Sequence, residues 1–453
     1  METCMLYYST NHQAAEVDFP AALLKGLAED RGLYLPKTIP QLSAEELKSF
    51  KAMDYPELAF TILNRFLRED IPADDLLRLV RDAYDFEVPL QHVKQRQYVM
   101  RLDQGPTASF KDFAARMMGR LMQYYLAREH RKLLILTATS GDTGSAIANA
   151  FYGLDNIQAL VLFPEKEVTA RQRKQMTTLG KNVRVVSIDG KFDDCQALVK
   201  RAFADPALAH LNLSSANSIN IGRLLPQSVY YFYAWSRLAE YPEPAVFSVP
   251  SGNFGDLMGG LIARSMGLPV SRFVVATNEN DEFPRYLETG EYRVISPSRN
   301  CISSAMNVGH PSNVARLIAL YGGDMDETGK IHRQPDLQRI RREMWGISIN
   351  DEQTRAMIVS AWQQDKLLLE PHGAVGWAGL QAYLKDNPEA SDLLCVSLET
   401  AHPAKFPEEI QRLLGFDPPL PPSLQGLEEK PEFVQPMQHD YAAFVKLLKD
   451  YYE

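Results

Sequence analysis

Apolar positions recur at three- and four-residue spacing from about Ala21 to Leu90, a pattern that predicts a mostly helical N-terminal region. The segments "SAEELKSF" and "PADDLLRLVRDAY" open on a cap-like Ser or Pro and carry acids in the first turn, where the positive end of a helix favours them. After Gln91 the pattern changes. Short continuous apolar runs, "KLLILTA", "IQALVLFP", "NVRVVSI", "AVFSVP", "RFVVATN" and "DLLCVSL", alternate with helical stretches, as strands of a parallel sheet covered on both faces do. The predicted class is α/β. The segment from about 301 to 357 is polar and less periodic, and is expected to form an insertion or mobile loop region. Near the end, "FDPPLPPSLQGLEEKPEF" predicts an extended connector, followed by a short terminal helix in "DYAAFVKLLKDYYE".

Composition narrows the classes. A chain of 453 residues, 45% hydrophobic and 23% charged, is long enough for two or three domains with substantial cores. The formal net charge of -9 argues against a general attraction to nucleic acid or acidic membranes, though a local site can still be positive. Cys4, Cys195, Cys301 and Cys395 lie far apart without a CxxC pair, so neither a zinc site nor a disulfide framework is expected, and a reducing cytoplasm fits best. "METCMLYYSTNHQAAEVDFP" lacks a basic region followed by an apolar run, so no secretory signal is expected. No run approaches the roughly 18 apolar residues of a membrane span.

The first candidate for chemistry is a lysine. In "RLDQGPTASFKDFAARMMGRLMQYYL", Phe110, Phe113, Ala114, Met117, Leu121 and Tyr125 form one helical stripe, and Ser109 followed by Asp112 resembles a capping box. The helix is therefore expected to begin near Ser109, with Lys111 in its first turn. The helix dipole there disfavours an ammonium and pulls the pKa down, which favours a nucleophilic neutral amine. The plain alternative is a solvated lysine covering the preceding turn.

Three strand-to-loop junctions add polar groups. "KLLILTATSGDTGSAIANAFYG" carries a strand through Thr139-Ser140-Gly141-Asp142-Thr143-Gly144 into a helix, which converges amides and hydroxyls on a potential anion site. It matches neither GxGxxG nor GK[ST], so nucleotide binding is poorly supported. "AVFSVPSGNFGDLMGG" repeats the arrangement with Ser251-Gly252-Asn253-Phe254-Gly255, suggesting a second anion; a pair of tight turns is the alternative. "DLLCVSLETAHPAKF" places Glu399, Thr400 and His402 at a strand's carboxyl end, where α/β sheets bind ligands, although a lone His402 beside Pro403 is more often structural. Between them, "LSSANSINIGRLLPQ" holds Asn217, Ser218 and Arg223, explained either by turn chemistry or by a phosphate pocket. The histidines show no HxxxH or HxH spacing for a metal, and no GxSxG elbow supports a serine hydrolase.

An amine, two anion cradles and a polar strand end together suit pyridoxal phosphate and an amino-acid substrate. "YYSTN", "DRGLYLP", "GPTASFKD", "LTATSGDTGSAIANAFYG", "IDGKFDDCQALV", "SANSINIGRLLPQ", "VPSGNFGDLMGG", "EPHGAV" and "TAHPAKF", in this order, resemble the threonine synthases, of the pyridoxal-phosphate fold type II family that includes tryptophan synthase β. The resemblance covers almost the whole chain. It implies two lobes with mostly parallel sheets flanked by helices: residues 1–92 as a helical N-terminal domain, 93–240 as a small lobe and 241–453 as a large lobe. It further implies that Lys111 is the Schiff-base lysine and proton shuttle. Gly252, Asn253, Phe254, Gly255 and Asp256 would hold the cofactor phosphate, and Thr400 the pyridine nitrogen. Ser140, Gly141, Asp142 and Thr143 would receive the substrate carboxylate, and Asn217, Ser218 and Arg223 its phosphate. The implied reaction turns O-phospho-L-homoserine and water into L-threonine and phosphate in a monomer or homodimer, with no metal. The family usually has an aromatic-His pair before "GPT", and here Asp103-Gln104 stands there; Ser109 replaces a common Ala before "FKD". Two alternatives stay open: a phospho-lyase or dehydratase giving 2-oxobutyrate, and a non-catalytic binder of amino-acid phosphates.

Overall fold

Each of the six apolar runs forms a strand, in two separate sheets. The computed structural model describes residues 5–139 and 141–452. Leu133–Ala138, Ile157–Pro164 and Val183–Asp189 lie side by side in a five-stranded parallel sheet, with Leu213–Ser214 at one edge and Gln435–Gln438 at the other. Ala245–Pro250, Val270–Thr277 and Leu394–Glu399 form the centre of a six-stranded sheet. Gln97–Arg101 and Met344–Ser348 extend this sheet in parallel, and Leu90–Lys94 adds its one antiparallel edge. Leu133–Ala138, Ala245–Pro250 and Leu394–Glu399, covered on both faces, are buried at every position, which is why they read as unbroken apolar runs.

Segments of the chain interleave between the two sheets. Gln97–Arg101 pairs with Leu394–Glu399 in the larger sheet, and the chain returns near its end to add Gln435–Gln438 to the smaller one. The helix Tyr441–Tyr452 then packs Phe444, Leu447 and Leu448 into the small-sheet core beside Cys195, Leu198 and Val199. Between the lobes the connector is pinned rather than loose: Asp417 pairs with Arg171, and Glu432 accepts from Arg173 and from the Thr177 hydroxyl.

The N-terminal helices form where expected. Ser43 Oγ accepts from Glu46 N, and Glu46 Oε2 from Ser43 N, a complete capping box for Ala44–Ser49. The segment around 301–357 differs from expectation. It contains the helices Val314–Leu320 and Leu337–Glu343 and the edge strand Met344–Ser348, and it supplies Asn313 and Arg316 to the site. Its short helices bury Val314, Leu317, Ile318 and Ile340 in the core, while Asn313 and Arg316 bond to backbone carbonyls, and elements this short leave little apolar periodicity. No described helix is long and apolar enough to cross a membrane.

Candidate active site

The carboxyl ends of Leu133–Ala138, Ala245–Pro250 and Leu394–Glu399 supply the site, each through the loop that follows. Lys111 is the first residue of the helix Lys111–Glu129, but the expected capping box is absent. Ser109 makes no cap bond; Asp112 instead accepts from Thr107 N at 2.9 Å and Thr107 Oγ1 at 2.6 Å, fixing the loop before the helix. The helix start is held by the strand end: Phe110 N donates to Thr400 O at 2.9 Å, and His402 N to Ala108 O at 3.0 Å. Backbone pairing across nearly three hundred residues thus takes the place of a local cap.

The Lys111 side chain is 12% exposed and rests over the Phe110 ring at 4.6 Å. Burial pushes its amine down to about 8; Asp142 opposes the shift, while Lys405 and Arg223 add to it. The direction matches the one inferred from the helix start, but burial is the main cause. The neutral amine is therefore a far larger share near neutral pH than for an ordinary lysine.

Asp142 opens the helix Asp142–Phe151 with its carboxylate 2.7 Å from Lys405 Nζ and 3.9 Å from Lys111 Nζ. Burial alone would raise this carboxyl, but the two lysines hold it well below the usual carboxylate range. Gln172 Nε2 donates to the same carboxylate at 2.9 Å. Gly141 has φ +134°, and a Cβ there would meet the Gln172 amide at 2.6 Å, so only glycine fits the loop. Behind it, Thr139 Oγ1 accepts from the amides of Gly141 and Gly144 at 3.0 and 2.7 Å. Thr143 follows in the same first turn. Ser140 lies outside the described residues.

In the second loop Phe254 adopts φ +62°, an unusual conformation for a bulky residue, secured by its buried ring packing edge-on against Phe283 at 4.9 Å. The strained residue turns the chain abruptly into the helix Gly255–Ser265, whose first amides are available to an anion. Gly252 is pressed against the Ser304–Met306 turn: a Cβ would meet Met306 Cα at 2.8 Å. Asn253 joins this loop to the Ser/Asn cluster, donating from Nδ2 to Ser218 Oγ at 2.6 Å and accepting from Ser312 N at 2.6 Å. The second loop and the Ser/Asn cluster, inferred separately, are therefore neighbours. Asp256 turns its carboxylate to the hydroxyls of Tyr230 and Tyr231, at 2.6 and 2.8 Å, and burial pushes it up to about 6. Its backbone amide, rather than its acid, suits an anion.

Arg223 is 2% exposed, donates to Ala216 O at 2.7 Å, and keeps a buried Nε without a partner among the described residues. Burial lowers it to about 10. Asn217 Oδ1 is likewise buried and unpartnered among the described residues, which suits a polar ligand not yet in place. Thr400 is buried at the strand end, while Glu399 turns instead to Glu370 N at 3.0 Å. His402 accepts from Ala404 N and caps the Pro403–Lys405 turn; burial pushes it down to about 4, so it stays neutral. Gln104 is exposed and donates to Asp103 Oδ1 at 2.7 Å.

Several residues at the site carry no local sequence signal. Lys405 is fully buried, and breaking a buried ion pair by removing one partner costs about 3–5 kcal/mol. Arg316, also fully buried, donates to the carbonyls of Tyr34, Ser218 and Ile219 and to Asn313 Oδ1, while Asn313 Nδ2 donates to Asn253 O. Glu370 Oε2 meets His372 Nδ1 at 2.5 Å, and His372 Nε2 accepts from Ala305 N, which ties "EPHGAV" to the turn under Gly252.

The family model described as "Pyridoxal-phosphate dependent enzyme" matches residues 85–398, "Threonine synthase N terminus" matches 6–84, and "Threonine synthase, C-terminal" matches 373–448. A threonine synthase of Haemophilus influenzae is 40% identical over 443 residues, covering 97% of this chain and 98% of that protein. One from Escherichia coli is 38% identical over 456 residues, covering 99% and 100%. A crystal structure of pyridoxal-phosphate-bound threonine synthase from Brucella melitensis is similar with a TM-score of 0.92 at 36% identity, covering 99% of this chain and 100% of that one.

Proposed function

The chain belongs to the threonine synthase family of pyridoxal-phosphate-dependent enzymes, and from that premise we propose that it converts O-phospho-L-homoserine and water to L-threonine and phosphate. The observation that carries this reading is the convergence of a buried Lys111, its amine lowered to about 8, with the loop 252–255 and the Ser/Asn cluster joined by the Asn253–Ser218 bond.

The residues present fit the cofactor. The amides that open the helix Gly255–Ser265, with Gly252, Asn253 and the left-handed Phe254 shaping the turn before them, suit its phosphate. Asp256 joins them through its amide. The Thr400 hydroxyl suits the pyridine nitrogen, and Lys111 its aldehyde. Bound pyridoxal phosphate supplies an electron-withdrawing ring that stabilises negative charge next to the substrate's amino group.

Lys111 performs the proton transfers, taking the substrate's Cα proton and then a Cβ proton as the γ-phosphate departs. A neutral amine is the form this needs, and burial, by lowering the amine to about 8, makes that form accessible near neutral pH. Gly141, Asp142 and Thr143, with Ser140 of the same loop, receive the substrate carboxylate at the start of a helix. Arg223, Asn217 and Ser218 hold the phosphate and its leaving charge. A proton is then returned to Cγ, water adds at Cβ, and Cα is reprotonated, so that the protons Lys111 removed are given back. The exposed Gln104, bonded to Asp103, takes no part in this scheme. We place the enzyme in the cytoplasm, a setting that suits Cys195, Cys301 and Cys395, which are free thiols among the described residues.

The test is a product assay. Incubation with O-phospho-L-homoserine is expected to release threonine and inorganic phosphate in equal amounts, followed by chromatography and phosphate determination. Main release of 2-oxobutyrate would replace the synthase with a phospho-lyase, and absence of turnover would leave only a binding protein.

A further inference from the structure

Asp142 puts a carboxylate in a loop whose proposed task is to receive another carboxylate. Such a loop needs a cation held against the acid at all times. Lys405 is placed to be that cation: its side chain is 0% exposed, its Nζ stands 2.7 Å from Asp142 Oδ1, and it donates to Thr107 O at 2.9 Å. Lys111 Nζ lies farther off, 3.9 Å from Asp142 Oδ2. Two ammonium-forming side chains thus face one carboxylate, and only Lys405 is within hydrogen-bond distance. We propose that Lys405 is a positioning residue for the reaction, taking Asp142 as its own counterion so that Lys111 is left out of a tight ion pair and remains able to act as an amine.

The proposal rests on the assignment of Lys111 made above and goes beyond it. Five charged or titratable groups act on Lys111: Asp142 from the start of its helix, Lys405 from the Pro403–Lys405 turn, Arg223 from the Ile221–Leu224 helix, Glu370 from the cap of Pro371–Asp386, and Asp256 from Gly255–Ser265. Burial lowers the amine first, and Lys405 lowers it further, whereas Asp142 raises it. Removing the Lys405 charge acts twice in one direction. The repulsion between the two lysines disappears, and Asp142 turns to Lys111 as its nearest cation. Both favour ammonium over amine. A lysine that served only to anchor Thr107 would leave the Lys111 titration where it is.

The test uses the full chain freed of cofactor, with pyridoxal phosphate added across a pH series and the growth rate of the visible band recorded. Capture of the aldehyde requires the neutral amine, so the rate rises with pH through the Lys111 pKa. Lys405→Met, which keeps the length of the stem, is expected to move this midpoint up by about 1–3 units. Asp142→Asn should move it down, and the double variant should return towards the parent. Lys405→Arg, retaining the charge, should stay near the parent. The acid limb of the kcat profile of the reconstituted enzyme should shift in step. A folded Lys405→Met protein with an unmoved midpoint overturns the proposal. If Lys405→Met fails to fold, Asp142→Asn decides alone, and no downward shift overturns it. A parent chain that forms no band at all would instead overturn the Lys111 assignment, a result separate from a band whose midpoint stays still.

Discussion

Lys111→Ala is expected to abolish the visible band of bound pyridoxal phosphate and to lower kcat/KM by on the order of 10³-fold or more, while the protein remains folded. The size follows from the two tasks the residue combines. General base catalysis alone contributes on the order of 10² to 10⁴ in rate, and loss of the covalent anchor removes positioning as well. Retention of the fold also follows from the structure. Alanine is the best helix former at the first position of Lys111–Glu129, and Asp142 keeps Lys405 at 2.7 Å when Lys111 is gone. Absorbance, steady-state kinetics and thermal melting check the three parts together. Substantial activity in the variant would remove Lys111 from the chemistry.

Arg223→Ala should raise KM for the phosphorylated substrate by about 10- to 100-fold, the range expected for a lost charge-assisted hydrogen bond of roughly 1.5–3 kcal/mol. Cofactor affinity should change little. The guanidinium uses one bond on Ala216 O and keeps a buried Nε without a partner among the described residues, so it retains donors for a ligand. The companion measurement matters because the Asn253–Ser218 bond joins the loop 252–255 to the cluster that holds Arg223. A variant with unchanged KM but weakened pyridoxal phosphate binding would reassign Arg223 to the cofactor.

What the sequence made legible depended on periodicity. The central strands are buried on both faces, so Leu133–Ala138 and Ala245–Pro250 stand out as apolar runs. Gln435–Gln438 does not: it is an edge strand with mostly exposed side chains and a proline, paired with Val183–Asp189 and packing Met437 against the core. The anion loops were legible because glycines are required there, as φ at Gly141 shows. Ser109 and Asp112 had the spacing of a capping box, but tertiary pairing of the helix start with Thr400 and His402 removed the need for a cap and released Asp112 to hold Thr107. Lys405 was visible only as a letter in "AHPAKF". Its partner lies 263 positions away by the numbering, and a contact of that kind leaves no trace in local spacing. Arg316 was hidden for the same reason, since it serves carbonyls contributed by Tyr34, Ser218 and Ile219.

The central claim is that one lysine, of two buried near Asp142, carries the cofactor. Reduction of the pyridoxal-phosphate-loaded protein with borohydride, followed by peptide mass spectrometry, tests it most directly, because reduction fixes the cofactor to whichever amine holds it. A pyridoxyl-phosphate adduct on Lys111, with Lys405 unmodified, is the predicted result. An adduct on Lys405, or none on either lysine, would contradict it.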